Sequence, residues 1–304
     1  MARRAYGQDV ALKGRMLTTM GLLGLLYVVG FGALGFVFHA QIALWLVIGL
    51  GLLTAQIFLS EKIALASARA RIVEANEAPE LHAIVDRLCI VADLPKPRIA
   101  IAPTEMPNAF ATGRSRRHAT IAVTQGLLDR LQPAELEGVL AHELTHVRNR
   151  DVAVMTIASF FAMVAGLLVR SFFWFGFGSF GGGGNDDEDS SGIATIIAIA
   201  VAVGVYLVSF LLIRSLSRYR EFAADRGAAV ITKAPSQLAA ALIKISGDVG
   251  RIPQNDLRSA EGLAQFYIIP PRVKGSLSAL FQTHPPLEAR LEQLKRLEAE
   301  LESI

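Results

Sequence analysis

The chain has 304 residues, of which 52% are hydrophobic, and its mean hydropathy is +0.42. This composition is too apolar for an ordinary soluble domain and indicates a membrane protein. The formal net charge is +3, with the basic excess beside hydrophobic runs and without the basic and aromatic patch typical of nucleic-acid binding. We therefore expect contact with lipid headgroups and no nucleic-acid partner. Cys89 is the single cysteine, so it forms no intramolecular disulfide, which suits a reducing cytoplasm.

Hydrophobic runs of about the length needed to cross a bilayer, roughly 20 residues, come first in chain order. They are Met16 to Phe38, Ile42 to Leu59, Val152 to Val169 and Ile193 to Ile213. Basic residues precede the first run and follow the second and fourth, whereas acidic residues fill 186–189. The positive-inside rule then places both termini in the cytoplasm.

This topology predicts a division of the chain into two membrane hairpins and two polar cytoplasmic segments. The parts are a cytoplasmic terminus at 1–15, a hairpin at 16–59, a cytoplasmic segment at 60–151, a second hairpin at 152–213 with an external acidic and glycine-rich loop at 178–192, and a second cytoplasmic segment at 214–304. Val152 follows His146 by six residues and Glu221 follows Ile213 by eight, so His146 and Glu221 should both lie near the cytoplasmic membrane surface.

The first cytoplasmic segment carries the pattern of a small sheet. Short apolar or alternating runs bounded by turn residues predict strands at Arg98 to Ala102, Asn108 to Thr112 and Thr120 to Val123. Thr124 is a suitable cap for a short helix that ends near Leu131. Further helices are predicted over Ala234 to Gly247 and from Pro285 and Pro286 to the end of the chain.

His142-Glu143-Leu144-Thr145-His146 is the most informative motif. Histidines at i and i+4 share one helical face, the arrangement that binds a catalytic zinc with the glutamate as general base. Pro133 favours a helix start, and an apolar stripe follows it at helical spacing, formed by Leu136, Val139, Leu140, Leu144 and Val147. The alternative is a surface helix with two unrelated histidines.

A zinc ion with two histidine ligands needs a third protein ligand and an open position. Glu221 is the best candidate, because it shares a helical face with Asp225 at i and i+4 and small alanines follow. The alternative is a solvated face whose carboxylates pair with Arg218 or Arg226. Asp151 and His284 are the next candidates for the ligand.

Together these motifs resemble the HtpX-type membrane zinc metalloproteases, relatives of the CAAX prenyl proteases among the zincins with a glutamate as third ligand. The resemblance covers almost the whole chain, at Asn108 to Gly113, the motif helix followed by Asp151, the segment 218–225, and Thr283 to Pro286 with Arg290 downstream. It implies an α+β membrane protein, with a zincin-like, mainly helical catalytic domain, a small β-sheet and about four transmembrane helices.

The predicted site chemistry uses one zinc ion held by His142, His146 and Glu221, with Glu143 taking the proton of the attacking water. The resemblance adds Asp225 as a carboxylate that orients a ligating histidine, for which we expect His142.

By the same resemblance, His284 stabilises the oxyanion, although a purely structural histidine before two prolines remains the alternative. Asn108, Ala109 and Phe110 are predicted to bind extended substrate at a sheet edge, against the alternative of a solvent-facing strand.

Three functions compete at this point. The leading one is an endopeptidase of the cytoplasmic (inner) membrane, multi-pass and with a cytoplasmic active site, which cleaves misfolded or damaged membrane proteins or unfolded polypeptides in quality control. The others are a protease for prenylated carboxyl-terminal peptides and a non-catalytic zinc-binding membrane chaperone or scaffold. An intact Glu143 argues against the last, because a structural zinc site needs no general base. The oligomeric state is left open.

Overall fold

The computed structural model describes residues 14–26, 28, 42–171, 188–249 and 285–303. Its helices are α1 (Gly14–Leu26), α2 (Ile42–Ser67), α3 (Pro79–Ala92), α4 (Gln125–Leu128), α5 (Pro133–Asn149), α6 (Asp151–Ser171), α7 (Glu188–Thr232), α8 (Pro235–Val249) and α9 (Leu287–Glu302). The chain forms two compact units, one comprising Met1–Leu12, Phe58–Ala153 and Ser217–Ile304, the other Lys13–Ile57 and Val154–Leu216.

The second unit is built from apolar helices. Two helices are long and apolar enough to cross a membrane, at Gly49–Ser67 and Ile199–Thr232, and the shorter α1 is also apolar. Two candidate spans are therefore present in the described part of the chain, and four crossings remain a prediction. Part of the first predicted run lies outside the described residues, as does 178–187 of the predicted loop; residues 188–192 of that loop begin α7.

The first unit contains a four-stranded mixed sheet in the order β1-β2-β4-β3. Its strands are β1 (Arg71–Ile72), β2 (Arg98–Ala102), β3 (Ala109–Ser115) and β4 (His118–Thr124). The pair of β2 and β4 is parallel and the other two pairs are antiparallel. The three predicted strands are confirmed. Strand β1 was not predicted, because two residues are too few to show an alternation of apolar and polar side chains. Strand β3 occupies one edge of the sheet.

Helix α5 forms for the reasons that its sequence gives. Pro133 opens it, and Gln132 and Glu135 cap it reciprocally. The predicted apolar stripe is buried in the main core, which also contains side chains of the sheet, α3, α7, α8 and α9. Gly138 allows α8 to approach closely, because an added Cβ would lie 3.0 Å from the Leu238 nitrogen. Lys244 of α8 also donates to the Glu135 carboxylate at 2.7 Å.

The end of α5 directs the chain back toward the motif. Arg150 adopts a left-handed conformation with φ of 61°, and its N–H donates to the carbonyls of His146 and Val147. Helix α6 starts at the next residue, Asp151, instead of continuing α5. This break brings Asp151 beside the last turn of α5. The predicted cap of α4 is also present, since the Thr124 side chain accepts from the Leu127 N–H, although α4 ends at Leu128, before Leu131.

Candidate metal centre

Three buried side chains from two helices meet at one point. His142 and His146 project from α5, and Glu221 projects from α7. The two Nε2 atoms lie 3.2 Å apart, and each lies 3.6 Å from an oxygen of Glu221. One ligand atom from each residue falls within 4.8 Å of the others. The predicted ligand set is thus assembled in space.

The geometry of this group fits a zinc ion. Zinc–ligand bonds of about 2.0 to 2.1 Å in a tetrahedral arrangement give ligand–ligand distances of roughly 3.3 Å. The observed separations of 3.2 and 3.6 Å are close to that value. Two imidazole nitrogens and one carboxylate oxygen are also the donors of a catalytic zinc site, which keeps its fourth position for water or substrate. The residues can therefore hold the metal.

Each histidine has a carboxylate on its other ring nitrogen. His142 Nδ1 lies 2.9 Å from Asp225 Oδ1, the contact that we expected, and His146 Nδ1 lies 2.7 Å from Asp151 Oδ2. Both carboxylates are fully buried. A carboxylate at Nδ1 fixes the proton there and leaves Nε2 with its lone pair toward the metal position. Arg220 Nε lies 3.4 Å from the same Asp151 oxygen and offsets its charge.

Arg290 of α9 connects the carboxyl-terminal helix to this group. It is 1% exposed, and it donates to both oxygens of Asp225, at 2.6 and 2.9 Å. A further nitrogen lies 3.7 Å from Glu221. Burial alone lowers the pKa of Arg290, but the hydrogen bonds and charge of Asp225, with the charges of Glu221 and Glu143, together leave that pKa above its usual range. The cation therefore stays charged and balances the buried acids.

Glu143 has the environment of a general base. Burial raises the pKa of its carboxyl group, the charges of His146 and His142 lower it, Glu221 raises it, and a backbone hydrogen bond from Ala111 lowers it. The net result is a raised pKa. A carboxylate tuned upward in this way can accept a proton and later return it. Glu143 thus interacts electrostatically with both histidines and with Glu221.

Strand β3 presents part of its backbone at the edge of the sheet. The Asn108 carbonyl accepts from the Thr124 N–H at 2.9 Å. Because β3 and β4 are antiparallel, every second residue of β3 after Asn108 then hydrogen-bonds to β4. Ala109 and Ala111 consequently point their N–H and C=O groups away from β4. No strand of the described part of the chain pairs with that outer side.

The side chains of this segment are buried, in contrast to the alternative of a solvent-facing strand. Asn108, Ala109, Phe110 and Ala111 are all buried, and Phe110 packs on the face of the sheet covered by α2. The backbone, more than the side chains, is what this edge can offer to another chain. Phe110 thus serves the core, which the sequence interpretation did not anticipate.

The remaining sequence predictions had different outcomes. The alternative of a solvated Glu221 and Asp225 face is wrong, since both are buried and Arg290, not Arg218 or Arg226, binds Asp225. His284 lies outside the described residues. The sequence interpretation assigned no role to Arg290 and considered Asp151 only as a substitute ligand. Two features of the sequence could have pointed to these roles. Asp151 directly follows the motif helix, and Arg290 lies in the first turns of the helix that follows two prolines.

Comparison with known proteins agrees with this site. The model of peptidase family M48 matches residues 75–298. The protease HtpX homolog of Moorella thermoacetica is 53% identical over 302 residues, covering 99% of each chain. Protease HtpX homolog 1 of Streptomyces coelicolor is 50% identical over 299 residues, covering 97% of this chain and 96% of the other.

A solved structure, Ste24p of S. mikatae, has a similar fold. Its TM-score is 0.50 at 17% identity, over 94% of this chain and 66% of that chain. The chain therefore belongs to peptidase family M48 and is a membrane metalloprotease. It is similar along its whole length to proteases named HtpX, as the sequence motifs predicted.

Proposed function

We propose that the chain is a zinc-dependent endopeptidase that cleaves misfolded or damaged membrane proteins, or unfolded polypeptides, at the cytoplasmic face of the inner membrane. The observation that carries this proposal is the buried group of His142, His146 and Glu221 with Glu143 beside it. A structural zinc site has no need of the general base, so the presence of Glu143 favours catalysis over the scaffold alternative.

The chemistry is shared between the metal and the chain. His142, His146 and Glu221 would hold a zinc ion, which would supply Lewis acidity toward water and the scissile carbonyl. The Glu143 carboxylate takes a proton from the attacking water and passes it to the nitrogen of the leaving amine.

Asp225 and Asp151 hold the Nδ1 protons of the two histidines, so that Nε2 is the nitrogen of each ring that is oriented to ligate the metal once its own proton is displaced. Arg290 in turn holds Asp225 in place with two hydrogen bonds. These residues act through the ligands and do not touch the substrate.

Substrate binding would use the outer edge of β3. An extended polypeptide can add to an exposed strand by main-chain hydrogen bonds, here at Ala109 and at the carbonyl of Ala111. The Ala111 backbone also bonds to Glu143, so a peptide aligned on this edge lies beside the base. Asn108 immediately precedes these positions and is proposed to contact the substrate backbone. This mode recognises an extended main chain more than a sequence, which suits unfolded substrates.

The proposed topology has four transmembrane helices with both termini and the catalytic residues in the cytoplasm. It is supported by the lengths of the apolar runs, by the two candidate spans and by the distribution of basic residues. The same topology leaves fewer spans than a large intramembrane chamber for prenylated peptides requires. We therefore favour a broad endopeptidase over a prenyl-peptide protease.

The decisive experiment compares Glu143→Gln and Glu221→Ala in protein purified in detergent with protease inhibitors, which also limits self-cleavage. Glu143→Gln should keep its zinc but hydrolyse an unfolded protein at least about a hundredfold more slowly, because it lacks the base. Glu221→Ala should lose zinc and activity together. Near-normal turnover in Glu143→Gln would contradict the mechanism, and full zinc retention in Glu221→Ala would contradict the ligand set.

His284 is proposed to stabilise the oxyanion. In that role His284→Ala should reduce turnover by roughly ten- to a thousandfold with unchanged zinc content and substrate binding. Loss of folded protein and zinc together would instead identify His284 as a structural residue.

A further inference from the structure

A cluster of arginines gathers at the hairpin between β3 and β4 and at the end of α5. Its members are Arg114, Arg116 and Arg117 on the hairpin and Arg148 and Arg150 after the motif helix. Arg116 Nε donates to the Arg148 carbonyl at 2.8 Å, which ties the two segments together. Burial and the nearby positive charge of Arg150 lower the pKa of Arg116, so the like charges are close in space. We call Arg114, Arg117 and Arg150, which are exposed, the basic surface.

The carboxylates near the basic surface are engaged elsewhere. Glu61, on the same face of the sheet, accepts from Thr120 at 2.6 Å and pairs with Arg98. Asp151 is fully buried against His146 and Arg220. Within the described residues, no ion pair joins a residue of the basic surface to an acid. Exposed like charges at this density repel one another, and an anionic partner would relieve that repulsion.

Apolar side chains lie next to the basic surface. Arg114 lies at the irregularity between Gly113 and Ser115 of β3, and its side chain reaches α2. Its guanidinium lies 5.0 Å from the centre of the Phe58 ring. Phe58, Leu59 and Ile63 of α2 are 55%, 45% and 58% exposed. These residues belong to the candidate span Gly49–Ser67.

The combination of arginines with exposed apolar side chains at the end of a candidate span identifies the partner. Arginine at the boundary between headgroups and acyl chains places its cation among phosphates and its stem against apolar groups. The cytoplasmic leaflet is rich in anionic lipid, which attracts such cations. An acidic polypeptide would neutralise the positive charges of the basic surface, but it would leave Phe58, Leu59 and Ile63 exposed.

We propose that the basic surface binds anionic lipid headgroups of the bilayer that α2 enters. The hairpin is thereby held at the membrane surface, and with it the end of β3, whose outer edge is proposed to bind substrate. A polypeptide leaving the bilayer would meet that edge at once. The inference depends on the chain being a membrane protein and not on the zinc mechanism, so it can fail or succeed separately from the proposed peptidase activity.

A fluorescent probe on the hairpin tests the contact. Ser115→Cys offers an exposed attachment site, while Cys89 is buried and its thiol has a pKa raised to about 11, which keeps it unreactive at neutral pH. The labelled full-length chain is placed in nanodiscs of phosphatidylcholine, with or without phosphatidylglycerol, and quenching by a lipid with a nitroxide headgroup is measured. Quenching should be stronger with phosphatidylglycerol and should weaken as salt is added.

Two charge-matched triple variants provide the comparison. Arg114→Gln/Arg117→Gln/Arg150→Gln removes the basic surface. Each arginine near an anionic surface raises the equilibrium constant for contact between hairpin and membrane about fivefold. Without the three arginines, this constant should fall by up to about a hundredfold, and most of the quenching should be lost. The control removes three exposed cations elsewhere and should quench like the parent; it is Arg87→Gln/Lys295→Gln/Arg296→Gln.

Several results would overturn the proposal. Equal quenching in the two lipid compositions would show that the anionic headgroup is not bound. Equal quenching by the two triple variants would show that the arginines do not form the contact. If the hairpin variant raised only the KM for an acidic unfolded polypeptide while quenching stayed unchanged, the basic surface would bind substrate and not lipid.

Discussion

Replacing Arg290 by methionine tests whether the carboxyl-terminal helix stabilises the metal centre by charge. Arg290 is 1% exposed and makes two hydrogen bonds with Asp225, which is 0% exposed. It also lies 3.5 Å from His142 Nδ1. Methionine keeps much of the apolar stem and volume, so the substitution removes mainly the guanidinium. Asp225 would then be a buried carboxylate whose remaining partner is the imidazole of His142.

The magnitude follows from the burial of this pair. Removing one partner of a buried ion pair costs about 3 to 5 kcal/mol, because the other charge stays desolvated without compensation. At about 2 to 4 °C per kcal/mol for a domain of this size, the unfolding midpoint should fall by roughly 6 to 20 °C. Loss of the cation also favours a proton on His142, since Arg290 lowers the pKa of that imidazole. Zinc affinity at neutral pH should therefore fall as well.

Thermal unfolding of the metal-free protein in detergent measures the effect. Arg296→Met on the same helix is the control, because its pair with Glu292 is exposed and should contribute about 0 to 1 kcal/mol. Arg290→Met/Asp225→Asn should regain part of the lost stability, since neither charge remains buried alone. If Arg290→Met unfolded at the same temperature as Arg296→Met and kept its zinc affinity, the reasoning from the buried pair would be refuted.

Further predictions concern metal binding and topology. Asp151→Asn should keep the fold but weaken zinc affinity about 10- to 100-fold in a chelator competition, because Asp151 orients His146; affinity equal to the parent would remove that role. Burial lowers the pKa of His142, but hydrogen bonds with two carboxylates raise it to about 9 in the absence of metal. Zinc must then displace a proton, so its affinity should rise roughly tenfold per pH unit up to about pH 9. A pH-independent affinity between 7 and 9 would contradict this assignment. Cysteine probes at 185–189 should react only from outside and probes near Arg71 only from the cytoplasm, and the reverse pattern would overturn the proposed orientation.

The sequence by itself determined the features that depend on short-range pattern. His142 and His146 share a helical face because their spacing matches the helical period, and Pro133 with the apolar stripe fixes that helix in the core. Strands β2, β3 and β4 were also visible as short apolar runs between turn residues. The spacing of Glu221 and Asp225 on one helix suggested a shared task. Each of these patterns involves residues only a few positions apart, so it can be recognised in the sequence without knowing how the chain packs.

Tertiary structure decided which distant groups meet. Arg290 reaches Asp225 across 65 residues of sequence and His142 across 148, and no local pattern records such a contact. Asp151 is close to His146 in sequence, yet it reaches the imidazole only because Arg150 turns the chain in a left-handed conformation. The stacking of Arg114 on Phe58 depends in the same way on how α2 covers the sheet. A buried charge needs a partner of opposite charge, and which residue becomes that partner is decided by the packing of the folded chain.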